Sequence, residues 1–386
     1  MKQRWMRVPV LLLAATIVWT AAVPQTARGA ELGADAKAAL LMDAGSGTVL
    51  FEKNAKEHRA AGSVTKLMSI LLFMEALENG QIHTEDKVTV SAFANSMGGS
   101  EIWLEVGEVM TVDDLLKAVI IQSANDATVA LAEHVAGSEE AFLLRMNQRA
   151  AELGMEDTHY LNTTGFDEEG QYTCAYDIAL VAQELLRHEK VFEYTMIWMY
   201  DLRGGKTQLA NTNKLLKTYA GITGLKTGTT DDAGNCFCGT ATRDGMTMIS
   251  VVLGCSTSTQ RFSSAAALMN YGFAGWESLR PALDSLIVPE TAVQNGMKST
   301  VQGAIVQPQT SLLLKRGTAG KVEYRLNMED ALEAPVEKGQ RIGSAELWLG
   351  GEQIAEYPVL AEVGVNKITF HGAFFTLLQR LLCSMI

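Results

Sequence analysis

Long apolar stretches with helical spacing fill the middle of the 386-residue chain, and short alternating runs lie on either side of them. Between residues 38 and 53 an apolar run, the turn-forming Asp43-Ala-Gly-Ser-Gly47 and the run Thr48-Val-Leu-Phe51 predict a β-hairpin. From residue 64 the pattern predicts a helix with Leu67, Met68, Ile70, Leu71, Leu72, Met74 and Leu77 all round it. A helix that is apolar on every side belongs in a core. Residues 110–154 keep helical spacing behind the start signal Thr111-Val-Asp-Asp114, and residues 177–188 predict another helix. Strand texture returns over residues 221–254, broken by a turn at Arg243-Asp-Gly245, and residues 263–273 predict a closing helix. Strands at both ends of a helical middle predict one sheet, antiparallel and flanked by helices, assembled from distant parts of the chain.

Beyond residue 280 the texture changes to short alternating runs such as Lys321-Val-Glu-Tyr-Arg325 and Ala345-Glu-Leu-Trp-Leu349, separated by Gly and Pro. They predict a small all-β domain, and it carries no cluster of His, Cys or paired carboxylates that suggests chemistry. Residues 372–386 place Phe374, Phe375, Leu377, Leu378, Leu381, Leu382, Met385 and Ile386 on one side of a helix. That helix would be about 22 Å long, short of the ~30 Å hydrocarbon core, so it is expected to lie in a membrane interface rather than cross it. At the other end Lys2, Arg4 and Arg7 precede an apolar run over residues 8–23, which reads as an export signal cut after Gly29 or Ala30. The expected division is a signal peptide over 1–30, a catalytic domain over 31–280, a β-rich domain over 281–366 and an amphipathic anchor over 367–386. The body of the chain is then expected on the extracytoplasmic face of the cytoplasmic membrane.

Composition narrows the function. A net charge of -12 without a basic stripe excludes nucleic acid as a partner. The five cysteines, Cys174, Cys236, Cys238, Cys255 and Cys383, are odd in number and sparse. Cys236 and Cys238 would share one face of a strand, and no second pair completes a zinc site. No metal and no cofactor is expected.

The candidate chemistry begins at Ser63 and Lys66, where a polar segment runs into the apolar helix. Residues three apart on a helix share a face, so the lysine amine can sit beside the serine hydroxyl. An uncharged amine can take the hydroxyl proton and so activate the serine as a nucleophile. No His–Asp partner offers the same service: His58, His83, His134, His159, His188 and His371 are scattered without motif context. Far along the chain stand Ser123-Ala-Asn125, between an apolar run and a helix, and Lys226-Thr-Gly228, opening a strand. Ser-x-x-Lys, a Ser-x-Asn triplet and Lys-Thr-Gly in that order form the signature of serine β-lactamases and penicillin-binding proteins.

On these motifs the sequence resembles the low-molecular-weight penicillin-binding proteins that act as serine-type D-alanyl-D-alanine carboxypeptidases. The likeness extends over nearly the whole chain, through Leu41-Met-Asp43, Asn211-Thr-Asn-Lys-Leu-Leu216 and Gly224-Leu-Lys-Thr-Gly-Thr-Thr230. Where that family commonly has Pro-Ala before the nucleophile, this chain has Ala61-Gly62. The resemblance implies an α/β (α+β) β-lactamase/transpeptidase-like catalytic domain. It also implies release of the terminal D-alanine from peptidoglycan stem peptides ending in D-Ala-D-Ala, through an acyl-enzyme on Ser63 that β-lactams would also form. Catalysis falls to Ser63, Lys66, Ser123, Asn125 and Lys226. Lys66 is made neutral by burial and by a Lys226 that keeps its charge; Ser123 relays the proton; Asn125 orients Lys66 and the substrate amide. The backbone N–H groups of Ser63 and Thr229 are the implied oxyanion donors. Lys226, Thr227, Gly228, Thr229 and Arg261 would line the place of the substrate's terminal carboxylate. Two alternatives stand beside this reading. A class A-like β-lactamase would have Asp where this chain has Ala124 and would need a deacylating glutamate, for which the loop residues Glu168 and Glu169 are candidates. A non-catalytic cell-wall-binding protein would have no use for an activated nucleophile.

Overall fold

The computed structural model describes residues 32–33, 35–307, 311–372 and 374. The export signal and nearly all of the terminal amphipathic helix therefore lie outside the described residues. The first hairpin forms as its pattern predicts, from β1 (Ala38–Asp43) and β2 (Val49–Lys53). The buried helix α1 spans Lys66–Glu78, and α2 (Asn125–Ala136) and α3 (Ala175–Leu185) pack with it. Three long strands follow, β3 (Ile222–Thr230), β4 (Gly234–Arg243) and β5 (Met246–Cys255), and then α4 (Ser258–Gly275). The turn between β4 and β5 has both Asp244 (φ 51°) and Gly245 (φ 75°) in the left-handed region, the conformation that matches the twist of a two-residue hairpin.

The five strands form one antiparallel sheet in the order β2-β1-β5-β4-β3. The N-terminal hairpin therefore lies beside strands from about 200 residues further on, as the strand–helix–strand texture predicts. Its two faces carry two cores. Leu40, Cys236, Cys238, Val251 and Leu253 face the helical layer, with α1 residues Leu67, Met68, Leu71 and Met74 in its centre. Leu41, Phe237, Met248 and Val252 face α4 through Phe262, Leu268, Met269 and Phe273. Strand β3 is one of the sheet's two edges, so among the described residues one side of its backbone has no strand partner.

Two departures from the sequence reading bear on the site. The helical texture of residues 110–154 is broken: Val112–Lys117 is α-helical, Ala118–Gln122 is a π-helical turn, and Ser123 adopts a left-handed φ of 66° before α2 begins. A wide turn of this kind commonly marks a functional position. The closing helix starts at Ser258, ahead of the point its apolar spacing suggests. Thr257 and Gln260 form a reciprocal capping box there, which the hydrophobic pattern does not register.

Strand Trp276–Leu279 follows α4 directly and pairs with Leu312–Lys315, which ties the first domain to the second by a ladder as well as by the chain. The second domain is all β: a four-stranded sheet in the order Gly303–Ile305, Glu352–Ala361, Arg341–Leu349, Glu323–Met328, and a smaller three-stranded sheet. Its own core gathers Val301, Leu332, Ile342, Val359 and Val365. No helix among the described residues is long and apolar enough to cross a membrane.

Candidate active site

Ser63 lies on a 3-10 turn, Gly62–Thr65, that runs straight into α1, so Lys66 is the first residue of that helix. Side chains three apart in a 3-10 turn nearly eclipse. Lys66 Nζ accordingly sits 2.9 Å from Ser63 Oγ. It makes two further contacts, 2.6 Å to Asn125 Oδ1 and 2.8 Å to the carbonyl oxygen of Thr164. The Asn125 amide is oriented by its own donor, because Nδ2 gives a hydrogen bond to the Gly98 carbonyl at 2.7 Å. Both of these partners of Lys66 can only accept. Two amine hydrogens are thereby committed, and the remaining direction of the nitrogen points at the Ser63 hydroxyl.

Lys66 is fully buried. Burial above all, and then the charge of Lys226, hold its amine well below the usual lysine range, while Asp126 pulls the other way. In the neutral amine the lone pair takes the third direction and accepts the Ser63 proton. Asp126 does not pair with the lysine: its carboxylate accepts the backbone N–H groups of Ile102, Leu104 and Ala127. That bracing fixes the start of α2 and with it Asn125.

Lys226 comes in from β3. Its amine donates to Ser123 Oγ at 2.7 Å and to the Thr227 carbonyl at 3.2 Å. The left-handed conformation of Ser123 turns its hydroxyl back to meet this lysine. Burial first, then the nearby Arg261 guanidinium, push Lys226 down to about 7. Burial and Arg261 both oppose the charge that Lys226 is expected to carry.

Two glycines bring strand and turn together. A Cβ on Gly228 would lie 2.2 Å from the Ala61 carbonyl oxygen and 3.0 Å from the Ser63 backbone nitrogen. Gly62, at φ 55°, faces the Thr229 backbone nitrogen in the same way, with 2.9 Å to an added Cβ. Only hydrogen fits at both positions, so the Ser63 and Thr229 backbones lie side by side. Behind Thr229, Arg261 Nη1 donates to the Gly228 carbonyl at 3.0 Å and to Thr229 Oγ1 at 2.8 Å. Arg261 is 8% exposed, because the early start of α4 turns it inward. Thr227 Oγ1 donates to Thr212 Oγ1 at 2.7 Å.

The residues expected to carry catalysis and to line the carboxylate's place thus converge on one cleft. Among the described residues no carboxylate forms an ion pair with Lys66, Lys226 or Arg261. The cleft is cationic and suits an anion. The histidines take no part: His58 is held by Asp157 and Tyr172, His188 by Glu78, and His83 by Asp86. Glu168 accepts from Asn162, and no hydrogen bond joins it or Glu169 to Lys66. What that loop offers the lysine is the Thr164 carbonyl. Glu75, Glu184 and His188 approach one another closely enough to hold a metal ion, but Arg149 already donates to both carboxylates, at 2.8 and 2.7 Å.

Three contributors escaped the sequence reading. Thr164 acts through a backbone oxygen, which leaves no residue signature. Asp126 looks like an ordinary helix-start acid. Thr212 lies inside the stretch Asn211-Thr-Asn213 but carries no chemistry until β3 is placed beside it.

Comparison with known proteins agrees with this geometry. Residues 24–257 match the family described as D-alanyl-D-alanine carboxypeptidase, peptidase S11, and residues 284–367 match the penicillin-binding protein 5 C-terminal domain. The chain is 40% identical over 356 residues to the D-alanyl-D-alanine carboxypeptidase DacF of Bacillus subtilis, covering 92% of this chain and 90% of that one. It is 36% identical over 347 residues to DacC of Escherichia coli, covering 88% and 86%. Among solved structures, penicillin-binding protein 5 of Haemophilus influenzae superposes with a TM-score of 0.74 at 30% identity, covering 86% of this chain and 98% of that one. Penicillin-binding protein D2 of Listeria monocytogenes, in its ampicillin-bound form, superposes on 62% of this chain and 98% of its own with a TM-score of 0.57 at 33% identity.

Proposed function

The chain belongs to the D-alanyl-D-alanine carboxypeptidase family, and from that premise we propose that it removes the last D-alanine of peptidoglycan stem peptides by acyl transfer to Ser63. The observation that carries the assignment of roles is the Lys66 amine, 2.9 Å from Ser63 Oγ with its other two contacts on acceptors. In the first step Lys66 takes the hydroxyl proton as Ser63 Oγ bonds to the carbonyl carbon of the penultimate D-alanine. The oxyanion that forms is held by the Ser63 and Thr229 N–H groups, which the two glycines bring side by side. Collapse breaks the peptide bond, and the departing amine receives a proton from Ser123, which the protonated Lys66 makes good, so that Lys66 returns to the neutral amine. Water then attacks the ester, Lys66 again serves as base, and Ser63 is regenerated.

The substrate's terminal carboxylate lies against Lys226, Thr227 and Thr229 in this reading. Arg261 acts at one remove: its Nη1 is bound to Gly228 and Thr229, so it contributes charge and holds Thr229 in position. A bound carboxylate raises the Lys226 pKa, so binding itself completes the charge of the site. The free edge of β3 offers a backbone ladder to the extended stem peptide. β-Lactams present a carboxylate and a strained amide in the same relation, which accounts for covalent inhibition.

For location, the reading rests on sequence. Residues 1–30 serve as an export signal and residues 372–386 as an amphipathic helix that holds the enzyme on the outer face of the cytoplasmic membrane.

The test is to incubate the protein with diacetyl-lysyl-D-Ala-D-Ala and, separately, with a fluorescent penicillin. Release of D-alanine and a persistent label, both lost in Ser63→Ala, are expected. Rapid penicillin turnover without D-alanine would instead establish a β-lactamase, and neither label nor turnover would end the enzymatic reading.

A further inference from the structure

The catalytic groups account for the cleft but not for Trp103. This residue is 73% exposed, and its φ of 53° lies in the left-handed region, which a bulky side chain rarely adopts. The surroundings impose that conformation. The N–H groups on either side, of Ile102 and Leu104, are both held by the buried Asp126 carboxylate. From the other side Arg203, itself at φ 53°, donates to the carbonyls of Ile102 and Trp103 and is anchored by Glu108. An indole is thus thrust into solvent by a braced loop. A strained residue that its surroundings over-determine points to function.

Between this loop and Arg203 runs a groove of about 640 Å³, lined by Trp103, Glu105, Val106, Glu108, Arg203 and Thr207. That is large enough for a small ligand. An aromatic face beside the Glu105 carboxylate and the Glu108–Arg203 ion pair suits a pyranose, whose C–H face packs on the ring while its hydroxyls donate to Glu105. With Glu108 paired to Arg203, Glu105 leaves the lining net acidic, which suits an anionic ligand poorly.

The groove's loop also borders the nucleophile's surroundings, since its residues contact Asn125 and Asp126. The Asn125 N–H donates to the Ser100 carbonyl at 2.7 Å. Trp103 is three residues further on, within about 11 Å at ~3.8 Å per step. In a stem peptide, four residues separate the scissile carbonyl from the sugar that bears the stem, and they span about 13–14 Å when extended.

We propose that this groove is a subsite for the sugar end of a glycan-linked stem peptide, with Trp103 as its stacking platform. The inference rests on the carboxypeptidase reading and deepens it: the preferred substrate is a stem peptide still attached to its amino sugar. Trp103 is then a specificity-determining residue that leaves the chemical step alone.

The test measures D-alanine release by the full chain from three substrates: a disaccharide pentapeptide, the same pentapeptide without sugar, and diacetyl-lysyl-D-Ala-D-Ala. The wild-type protein is expected to favour the sugar-bearing substrate in kcat/KM by about tenfold, as one aromatic stacking contact allows. Trp103→Ala abolishes that preference while keeping both sugar-free substrates, and labelling by fluorescent penicillin, within about twofold of wild type. Trp103→Phe retains most of the preference. Equal losses on all three substrates would assign Trp103 a purely structural role and overturn the proposal, and so would an unchanged preference in Trp103→Ala, which would leave the indole to another partner such as a protein. Penicillin labelling without D-alanine release from any substrate would refute the carboxypeptidase reading and the subsite together.

Discussion

Replacing Gly228 by alanine tests whether the close approach of strand and turn builds the site. The added Cβ would stand 2.2 Å from the Ala61 carbonyl oxygen, 2.8 Å from the Val64 nitrogen and 3.0 Å from the Ser63 nitrogen. All three are backbone atoms, so no side chain can swing away to make room. To reach an ordinary contact, β3 and the 3-10 turn must part by about 1 Å, and a displacement of that size between reacting groups costs on the order of 100-fold in rate. The overpacking itself is expected to destabilise the fold by about 1–3 kcal/mol. The assay is the single-turnover rate of acylation by a fluorescent penicillin, followed beside a thermal melt of the same sample. The expected result is an acylation rate about 100-fold down in a protein that still melts cooperatively. Acylation at the wild-type rate would refute the argument, since the Ser63 and Thr229 N–H groups could not then depend on this contact. A protein that recovers its rate when assayed well below its melting point would trace the loss to unfolding instead.

Further tests address the charges and the supports. Lys226 titrates near 7 when only its protein neighbours act on it and must be protonated to attract a carboxylate, so kcat/KM for a D-Ala-D-Ala peptide should fall as pH rises through about 7. The corresponding limb in kcat should lie higher, because a bound carboxylate raises that pKa; superimposable limbs in the two profiles would contradict this. Asn125→Ala removes an acceptor 2.6 Å from Lys66 and leaves the Gly98 carbonyl unpaired. Each unmade buried bond costs about 1–3 kcal/mol, so acylation should slow by one to two orders of magnitude, and a change under about twofold would show that Asn125 does not position the lysine. Removing residues 372–386 should release the protein from a membrane fraction. If the truncated protein still sediments with membranes, the N-terminal segment is the one that holds it.

Much of this site is legible in the amino-acid sequence alone, because its groups lie in short local patterns at element boundaries. Ser63 and Lys66 meet through a local turn, and Ser123 and Asn125 flank a helix start. Lys226 stands on a strand whose texture is plain in the sequence. The sheet is legible for a similar reason: β3, β4 and β5 are long and β-rich, and the turn Arg243-Asp-Gly245 separates two of them. What the sequence hides depends on distant chain or on backbone atoms. The turn holding Ser63 is 3-10 rather than α, and it is packed closely by Gly228 and Gly165 from distant chain; a Cβ on Gly165 would sit 2.0 Å from the Gly62 carbonyl oxygen. Thr164 supplies a carbonyl from a loop 98 residues away from Lys66. Arg261 looks like a surface arginine until the capping box of Thr257 and Gln260 starts α4 early and turns the guanidinium inward. The lowered pKa of Lys226 comes from burial and from Arg261, neither of which any local pattern encodes.

The central claim is that Ser63 is activated by a Lys66 amine that is neutral at ordinary pH. Its most direct test is the pH dependence of acylation by a β-lactam, followed as mass gain of the intact protein with the adduct mapped to its peptide. Deprotonated Lys66 is the active form, and its folded pKa lies well below the ordinary 10.5. The account predicts an adduct on Ser63 whose rate of formation rises with Lys66 deprotonation through an acid limb that lies well below pH 10.5. A rate still climbing towards about pH 10, as a solvent-exposed lysine would give, or an adduct on any other residue, would contradict it.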